Sequence, residues 1–116
     1  PDTRQKIRMK RAVRSARASA DIVSALDYYL SEAPHAAEGF INALERAVGQ
    51  IERQPGIGSP RYAHELDIPG LRHWPLTRYP YALFYLEHED RVDVIRLVHM
   101  SRDIPASLQE PDDAMG

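Results

Sequence analysis

The stretch LRHWPLTRYPYALFYLEHEDRVDVIRLVHMSRD, residues 71–103, decides the fold. Its alternating apolar and β-branched residues predict three consecutive strands separated by short turns. The strands are Leu71 to Arg78, Tyr81 to Glu87 and Arg91 to His99. Pro80 marks the first turn, and the polar run at 88–90 marks the second.

The middle strand is apolar on both of its faces. One face carries Tyr81, Leu83 and Tyr85, and the other carries Ala82, Phe84 and Leu86. An antiparallel strand that faces water alternates with polar residues, so a strand apolar on both sides needs a cover on both sides. The chain upstream has enough helix to cover one face. The sequence leaves open whether the second face is closed by the chain's own termini or by another protein.

Two amphipathic helices precede these strands. Ser15 is a good N-cap, and helical periodicity predicts a helix from about Ala16 to Glu32. Pro34 suits the first turn of a second helix, which ends before the Pro55-Gly56 pair. Because the connection is short, the two helices are expected to form an antiparallel hairpin on one face of the sheet.

The order of elements predicts an α+β fold. It consists of an N-terminal strand from about Met9, the antiparallel helical hairpin packed on a mostly antiparallel sheet of about four strands, and a short C-terminal helix. We expect residues 9–109 to form a single domain, residues 1–8 a flexible extension and residues 110–116 a polar tail. Residues 61–70 show weak periodicity and are expected to form a loop.

Composition excludes several classes of protein. With no cysteine there is no disulfide framework and no thiolate chemistry, which fits a cytoplasmic protein, and no apolar run is long enough to span a bilayer. Residues 1–17 hold seven of the 15 basic residues and one of the 17 acidic residues. The rest of the chain therefore carries twice as many acids as bases and is a poor binder of nucleic acid.

No motif for a metal or a cofactor is present, and we expect neither. The five histidines lack a compact ligand spacing, and no phosphate-binding glycine loop or nucleophile elbow occurs. A polar group on or beside the strands is a candidate for acid–base chemistry on a phosphodiester. Its members are Arg72, Arg78, Tyr79, Tyr85, Arg96, His99 and Arg102. The alternative is that these side chains pack and pair locally.

Four segments in register resemble the RelE/ParE toxin superfamily. They are Ser15 to Ile22 with Tyr28-Tyr29, the loop Pro55 to Arg61, the strand Tyr79 to Tyr85, and the ending His99-Met100-Ser101-Arg102-Asp103. The match runs from about Met9 to Leu108, nearly the whole chain. The resemblance implies the toxin half of a bacterial type II toxin–antitoxin, or plasmid stabilisation, system located in the cytoplasm.

The resemblance also implies partners. A cognate ParD-like antitoxin is expected to wrap the toxin, and nucleic acid is expected to be contacted only through the antitoxin complex at its operator. Antitoxin binding is predicted to involve the strand residues with two residues of the helical hairpin. The candidates are Tyr81, Leu83, Tyr85, Leu26 and Leu44.

Within the superfamily two mechanisms compete. RelE-type members are ribosome-dependent mRNA endonucleases rich in basic residues, whereas ParE-type members are not enzymes and poison DNA gyrase. The acidic body, the confinement of lysine to Lys6 and Lys10, and the His-x-x-Arg-Asp ending favour the ParE type. Toxicity is then expected to depend on His99, Arg102 and Asp103.

Two alternatives remain open at this point. In a ribonuclease the catalytic candidates would be drawn from the polar group on the strands. They are Arg78, Tyr85, Arg96, His99 and Arg102. The second alternative is an inactive relative that only binds partners.

Overall fold

The computed structural model describes residues 9–109, so the predicted extension and polar tail lie outside the described residues. Residues 9–109 form four strands and four α-helices in the order β1, α1, α2, α3, β2, β3, β4, α4. The strands are β1 (Arg11–Arg14), β2 (Leu71–Pro75), β3 (Tyr81–Glu87) and β4 (Arg91–His99). The helices are α1 (Ala16–Glu32), α2 (Pro34–Arg53), α3 (Arg61–Glu65) and α4 (Ile104–Leu108), with a 3-10 turn at Pro55–Ile57.

The strands form one mixed sheet with the order β1-β4-β3-β2. β2, β3 and β4 are antiparallel neighbours, whereas β1 pairs with β4 in parallel. The α1–α2 hairpin supplies the long crossover that a parallel pair requires. The predicted α+β class, with a helical hairpin on a mostly antiparallel sheet and a short C-terminal helix, is confirmed.

Local signals set the ends of the hairpin helices. The Ser15 side chain accepts a hydrogen bond from the Ala18 N–H at 3.0 Å, which satisfies one of the free donors at the start of α1. Pro34 occupies the first turn of α2, where its missing N–H costs no hydrogen bond. Most of the apolar stripe of each helix packs on the sheet, as the periodicity predicts, but Leu30 of α1 and Ile41 of α2 are exposed.

The hairpin covers one side of the sheet, which we call the hairpin face. Phe40, Leu44 and Ile51 of α2 pack there against Leu83 and Tyr85 of β3. Leu44 is 3% exposed, and the other four side chains are fully buried. A ring of aromatic contacts around Phe40 extends this core toward the start of β3.

The opposite side of the sheet, the second face, is closed by short segments of the same chain. Tyr62 of α3 and Ile104 of α4 pack there against Leu71, Phe84 and Val98. Both faces of β3 are thus buried, as its two apolar faces predict. The cover that the sequence left undecided comes, for this part of the sheet, from the chain itself.

Two local predictions were wrong. β2 ends at Pro75 rather than at Arg78, because Leu76 N–H donates to the carbonyl of Tyr81 and closes a tight connection. Arg78 lies in that connection with a φ of 72°, a left-handed conformation that is unusual for a residue with a side chain. Residues 61–70 contain α3, which is too short for its periodicity to be recognised.

None of the helices within residues 9–109 is both long enough and apolar enough to cross a membrane. The same residues contain no group of three or more histidine and acidic side chains that could hold a metal ion.

Candidate partner-binding cleft

An open cleft of about 700 Å³ lies between α1 and the C-terminal end of β4. It exists because β1 pairs with β4 only as far as Val94, after which the chain turns into α1 at Ser15. The last residues of β4 therefore have no neighbouring strand on this side among residues 9–109. The lining includes Tyr28, Tyr81, Arg96, His99 and Arg102.

Asp21 of α1 occupies part of the vacant strand edge. Its carboxylate accepts a hydrogen bond from the Leu97 N–H at 3.0 Å and from Arg96 Nε at 2.7 Å. Arg17, one turn earlier on α1, lies 3.6 Å from the same carboxylate. Asp21 thus takes the place of a strand partner at Leu97 and fixes α1 against β4.

Arg96 joins three elements of the fold. Besides its bonds to Asp21, Arg96 Nη1 donates to the carbonyl of Ser107 in α4 at 2.7 Å. Arg96 is only 8% exposed, so its guanidinium is largely withdrawn from the cleft. Removing one partner of a buried ion pair leaves the other charge uncompensated, so this residue has a structural role.

Tyr81 and His99 form one wall of the cleft. Their ring centroids are 5.0 Å apart in an edge-to-face arrangement. The Ser101 backbone N–H donates to His99 Nδ1 at 3.1 Å, and the Ser101 hydroxyl lies 2.7 Å from the same nitrogen. Because His99 Nδ1 accepts the hydrogen bond from the Ser101 N–H, a neutral His99 ring carries its proton on Nε2. Burial raises the pKa of Tyr81, and the positive charge of Arg102 partly opposes this shift.

The segment after β4 completes the cleft. Arg102 is exposed, and no carboxylate within residues 9–109 pairs with its guanidinium. Asp103 begins α4, and its side chain accepts a hydrogen bond from the Ala106 N–H at 3.3 Å. Asp103 therefore stabilises the short helix, whereas Arg102 is available to a partner.

Comparisons with known proteins agree with this architecture. The family model for the ParE toxin of the type II toxin–antitoxin system parDE matches residues 13–104. The chain belongs to the ParE toxin family. A solved structure titled "Chromosomal ParDE TA system from P. aeruginosa" has the same fold, with a TM-score of 0.66 at 20% identity, covering 79% of this chain and 97% of that one. No curated protein matches.

In this ParE-family chain the five ribonuclease candidates do not converge. Arg96, His99 and Arg102 line the cleft, but Tyr85 and Arg78 do not. Tyr85 is fully buried, and its hydroxyl donates to the Pro55 carbonyl at 2.6 Å while accepting from the Gly58 N–H at 2.8 Å. Arg78 lines a separate depression of about 350 Å³ beside α2.

The predicted antitoxin-binding residues also separate into two groups. Leu44, Leu83 and Tyr85 are buried in the core of the ParE-family fold, where they have no free surface. Leu26 and Tyr81 are partly exposed. Contact with a partner on the folded chain is therefore open to Leu26 and Tyr81, while the other three support the surface from below.

Sequence reasoning missed three residues that shape the cleft. Asp21 and Arg17 look like ordinary polar positions of an amphipathic helix, and only the tertiary fold places them at the edge of β4. Tyr28 carried a usable signal, because it lies outside the apolar stripe of α1. It is 58% exposed and lines the cleft.

Proposed function

We propose that this ParE-family toxin poisons DNA gyrase, blocks replication in the bacterial cytoplasm and is neutralised by a ParD-like antitoxin. Family membership supports the toxin role, and the geometry of the cleft supports the choice of target. The observation that carries this choice is the double engagement of Arg96 by Asp21 and by the Ser107 carbonyl. Under this proposal the toxin is not an enzyme.

Cleavage of RNA needs a general base and a cation that can stabilise the developing negative charge. The Arg96 guanidinium is already neutralised by Asp21 and largely buried, so it has little capacity left for a phosphodiester. Burial raises the pKa of Tyr85, and its hydroxyl is held in two hydrogen bonds. Both residues therefore act as supports of the fold.

A ribosome-dependent ribonuclease is the second candidate, because the cleft still holds the His99 imidazole beside the Tyr81 phenol and the free Arg102 guanidinium. An inactive relative that only binds partners is the third candidate. It shares the fold and would use the same exposed surfaces.

A pair of assays with the purified toxin distinguishes these candidates. Purified gyrase is tested for supercoiling and for accumulation of cleaved DNA, and ribosomes are tested in parallel for mRNA cleavage. We expect linear DNA to accumulate while the mRNA remains intact. Cleaved mRNA with normal supercoiling would replace the proposal by the ribonuclease, and no effect in either assay would favour the inactive relative.

Toxicity is proposed to depend on the segment from His99, with Arg102 making the direct contact and Asp103 holding α4. Deletion of residues 101–116 is expected to abolish toxicity. That deletion also removes Ile104, which is buried, so a point variant is the sharper test. We expect Arg102→Ala to weaken gyrase inhibition at unchanged thermal stability, with Arg46→Ala as the control in an exposed arginine outside the cleft.

Antitoxin binding is proposed to use Leu26 and Tyr81 directly. Alanine at both positions should weaken co-purification with the antitoxin. Equally tight binding by the double variant would remove these two residues from the interface. Alanine at Leu44, Leu83 or Tyr85 is expected to act indirectly, by destabilising the core that supports them.

A further inference from the structure

The depression of about 350 Å³ beside α2 shares no lining residue with the cleft. Helix α2 contributes Asn42 and Arg46 to its lining, and the connection between β2 and β3 contributes Thr77 and Arg78. Its volume is near the lower end of the usual range for small-molecule sites, about 300–1,000 Å³. The depression can therefore hold a small polar group while the rest of a ligand remains in solvent.

Helical spacing brings the two donors of α2 together. Asn42 and Arg46 are four residues apart, and side chains at this spacing are neighbours on the surface of a helix. Glu45 is adjacent to Arg46 in the sequence, but it lies on a different side of α2 and does not line the depression. The helix therefore presents an amide and a guanidinium to the depression.

The connection between β2 and β3 is held against α2 by Tyr79. The Tyr79 hydroxyl donates to the Ala36 carbonyl at 2.9 Å, and a Cβ at position 39 would collide with the hydroxyl oxygen. Gly39 is therefore needed for this close approach. The Leu76 N–H closes the connection by donating to the Tyr81 carbonyl at 2.9 Å. These contacts fix the connection relative to α2, so the donors of the two elements are positioned before a ligand binds.

Arg78 occupies an unfavourable backbone conformation. Its φ of 72° lies in the left-handed region, which glycine and asparagine adopt more readily than arginine. The Arg78 side chain is exposed and has no hydrogen-bond or ion-pair partner among residues 9–109. Conformations of this kind are concentrated at functional sites. A polar contact within the described chain does not explain the arginine, so a ligand is the remaining partner for its guanidinium.

The positive charge of the depression is not neutralised by the part of the chain that the structure describes. Arg46, like Arg78, lacks a hydrogen-bond or ion-pair partner there, and none of the described lining residues is acidic. Two guanidiniums, an amide and a hydroxyl can donate more hydrogen bonds than the two oxygens of one carboxylate accept at once. A phosphate group has three strong acceptor oxygens and pairs well with guanidiniums.

We propose that this depression binds a phosphate group, carried by a small phosphate monoester such as a mononucleotide. Arg46 and Arg78 pair with the phosphate oxygens, and Asn42 and Thr77 supply further hydrogen bonds. A monoester has a charge of about −1.5 to −2 at pH 7, which matches two guanidiniums, whereas a phosphodiester has a single charge. This ligand site goes beyond the proposed toxin function and lies outside the cleft.

The backbone of DNA is a second source of phosphate, but the surroundings favour the small monoester. The chain beyond residue 17 carries twice as many acidic as basic residues, so a polyanion longer than the depression is repelled outside it. A mononucleotide places its charge within the depression and avoids this repulsion. The phosphodiester therefore becomes one arm of the test.

The test uses the full chain and follows backbone amide shifts in NMR titrations at neutral pH. The probes are inorganic phosphate, thymidine monophosphate, the dinucleoside phosphate TpT, which contains one phosphodiester, and acetate. We expect inorganic phosphate and thymidine monophosphate to shift the amides of Thr77 and Arg78. TpT and acetate have a single negative charge and lose a charge-assisted hydrogen bond, so they should bind about tenfold more weakly.

Variants assign the contact to the two arginines. Arg78→Asn removes the guanidinium but keeps a residue type that tolerates the left-handed backbone. It should weaken thymidine monophosphate by about tenfold, and its Tm without ligand should equal or exceed that of the original chain. Arg46→Gln should weaken the same ligand by a similar factor. Arg53→Gln, an equal loss of charge at an exposed position of α2 outside the depression, is the matched control and should leave the affinity unchanged.

Four results would overturn the inference. Absence of phosphate-induced shifts at Thr77 and Arg78 would remove the site, and equal weakening in the Arg53 and Arg78 variants would reduce it to net charge. Acetate or TpT binding as tightly as thymidine monophosphate would reject the monoester. A lower Tm for Arg78→Asn without ligand would give Arg78 a structural role instead.

Discussion

Both faces of the sheet have a buried core, but the two are covered in different ways. The hairpin face lies under two helices of 17 and 20 residues, joined by a short connection. The second face lies under two helices of five residues each, which come from distant parts of the chain. Short elements with few contacts open locally at a lower free energy than long packed helices. The comparison indicates a stable hairpin half and a second half that can open by itself.

The largest effect on the free energy of unfolding is expected from Phe40→Ala on the hairpin face. Phe40 is fully buried, and its ring centroid lies 5.2 Å from Tyr29, 5.8 Å from Tyr79 and 5.7 Å from Tyr81. The substitution leaves a cavity among these rings and should lower the free energy of unfolding by about 3–5 kcal/mol. Urea denaturation followed by far-UV circular dichroism measures it.

Tyr28→Ala is the control for this prediction, since Tyr28 lies on α1 but is 58% exposed. It should change the unfolding free energy by about 0.5 kcal/mol or less. If the Phe40 and Tyr28 variants were equally stable, the aromatic contacts around Phe40 would not hold the hairpin on the sheet.

A smaller, more local effect is expected from Ile104→Ala on the second face. Ile104 is 4% exposed and packs against the sheet from a helix of five residues. Because we expect so short a helix to open before the rest of the chain unfolds, the global free energy of unfolding should fall by only about 2 kcal/mol, the low end for such a truncation. Hydrogen exchange should show α4 amides losing protection before those of α2. Simultaneous loss in both helices would contradict the difference between the faces.

Tyr85→Phe examines how the hairpin half is attached to the loop before α3. The Tyr85 hydroxyl bonds both the Pro55 carbonyl and the Gly58 N–H, and the substitution leaves both groups without this partner. We expect a loss of about 1–3 kcal/mol, the usual cost of an unsatisfied buried group. Tyr62→Phe, which removes a hydroxyl from the second face, is the comparison. A larger loss in the Tyr62 variant would reverse the assignment.

The hairpin half could be predicted from the sequence because its signals are long or specific. α1 and α2 contain several turns of regular apolar spacing, and Ser15 and Pro34 mark their first residues. α3 was not predicted, because five residues complete little more than one turn and Tyr62 alone marks its buried side. The end of β2 was misplaced because alternation continues through Arg78, although the backbone leaves the strand at Leu76.

Only part of the candidate site could be predicted, because some of its residues depend on contacts that are distant in the sequence. His99 and Arg102 follow directly from the end of β4, which the sequence places correctly. The role of Arg96 depends on Asp21, 75 residues earlier, and on a backbone carbonyl of α4. No local pattern relates these three groups, so the sequence could not distinguish a catalytic guanidinium from a structural one.

The smallest effect on stability is expected at His73, a half-buried histidine on the second face. The His73 ring stacks on that of Phe84, with 5.3 Å between the ring centroids, and its centroid also lies 5.3 Å from that of Tyr62. Its Nδ1 is buried and has no hydrogen-bond partner within the described residues. Burial, together with the positive charge of Arg61, lowers the pKa of His73 below its usual value of 6.5. The neutral ring is therefore the form that the folded chain prefers.

A lowered pKa has a definite consequence for stability. Below about pH 6.5 the unfolded chain binds a proton at His73 that the folded chain binds only at lower pH, so stability falls as the solution is acidified. His73→Phe keeps the aromatic stack and removes the titrating group. As the pH is lowered from 7.5 to 5, the free energy of unfolding of this variant should therefore increase relative to that of the original chain. His64→Gln, at an exposed position on α3, is the matched control. Parallel profiles of stability against pH for the original chain and the His73 variant would mean that solvent reaches His73 in spite of α3. The second face would then be more loosely packed than its contacts indicate.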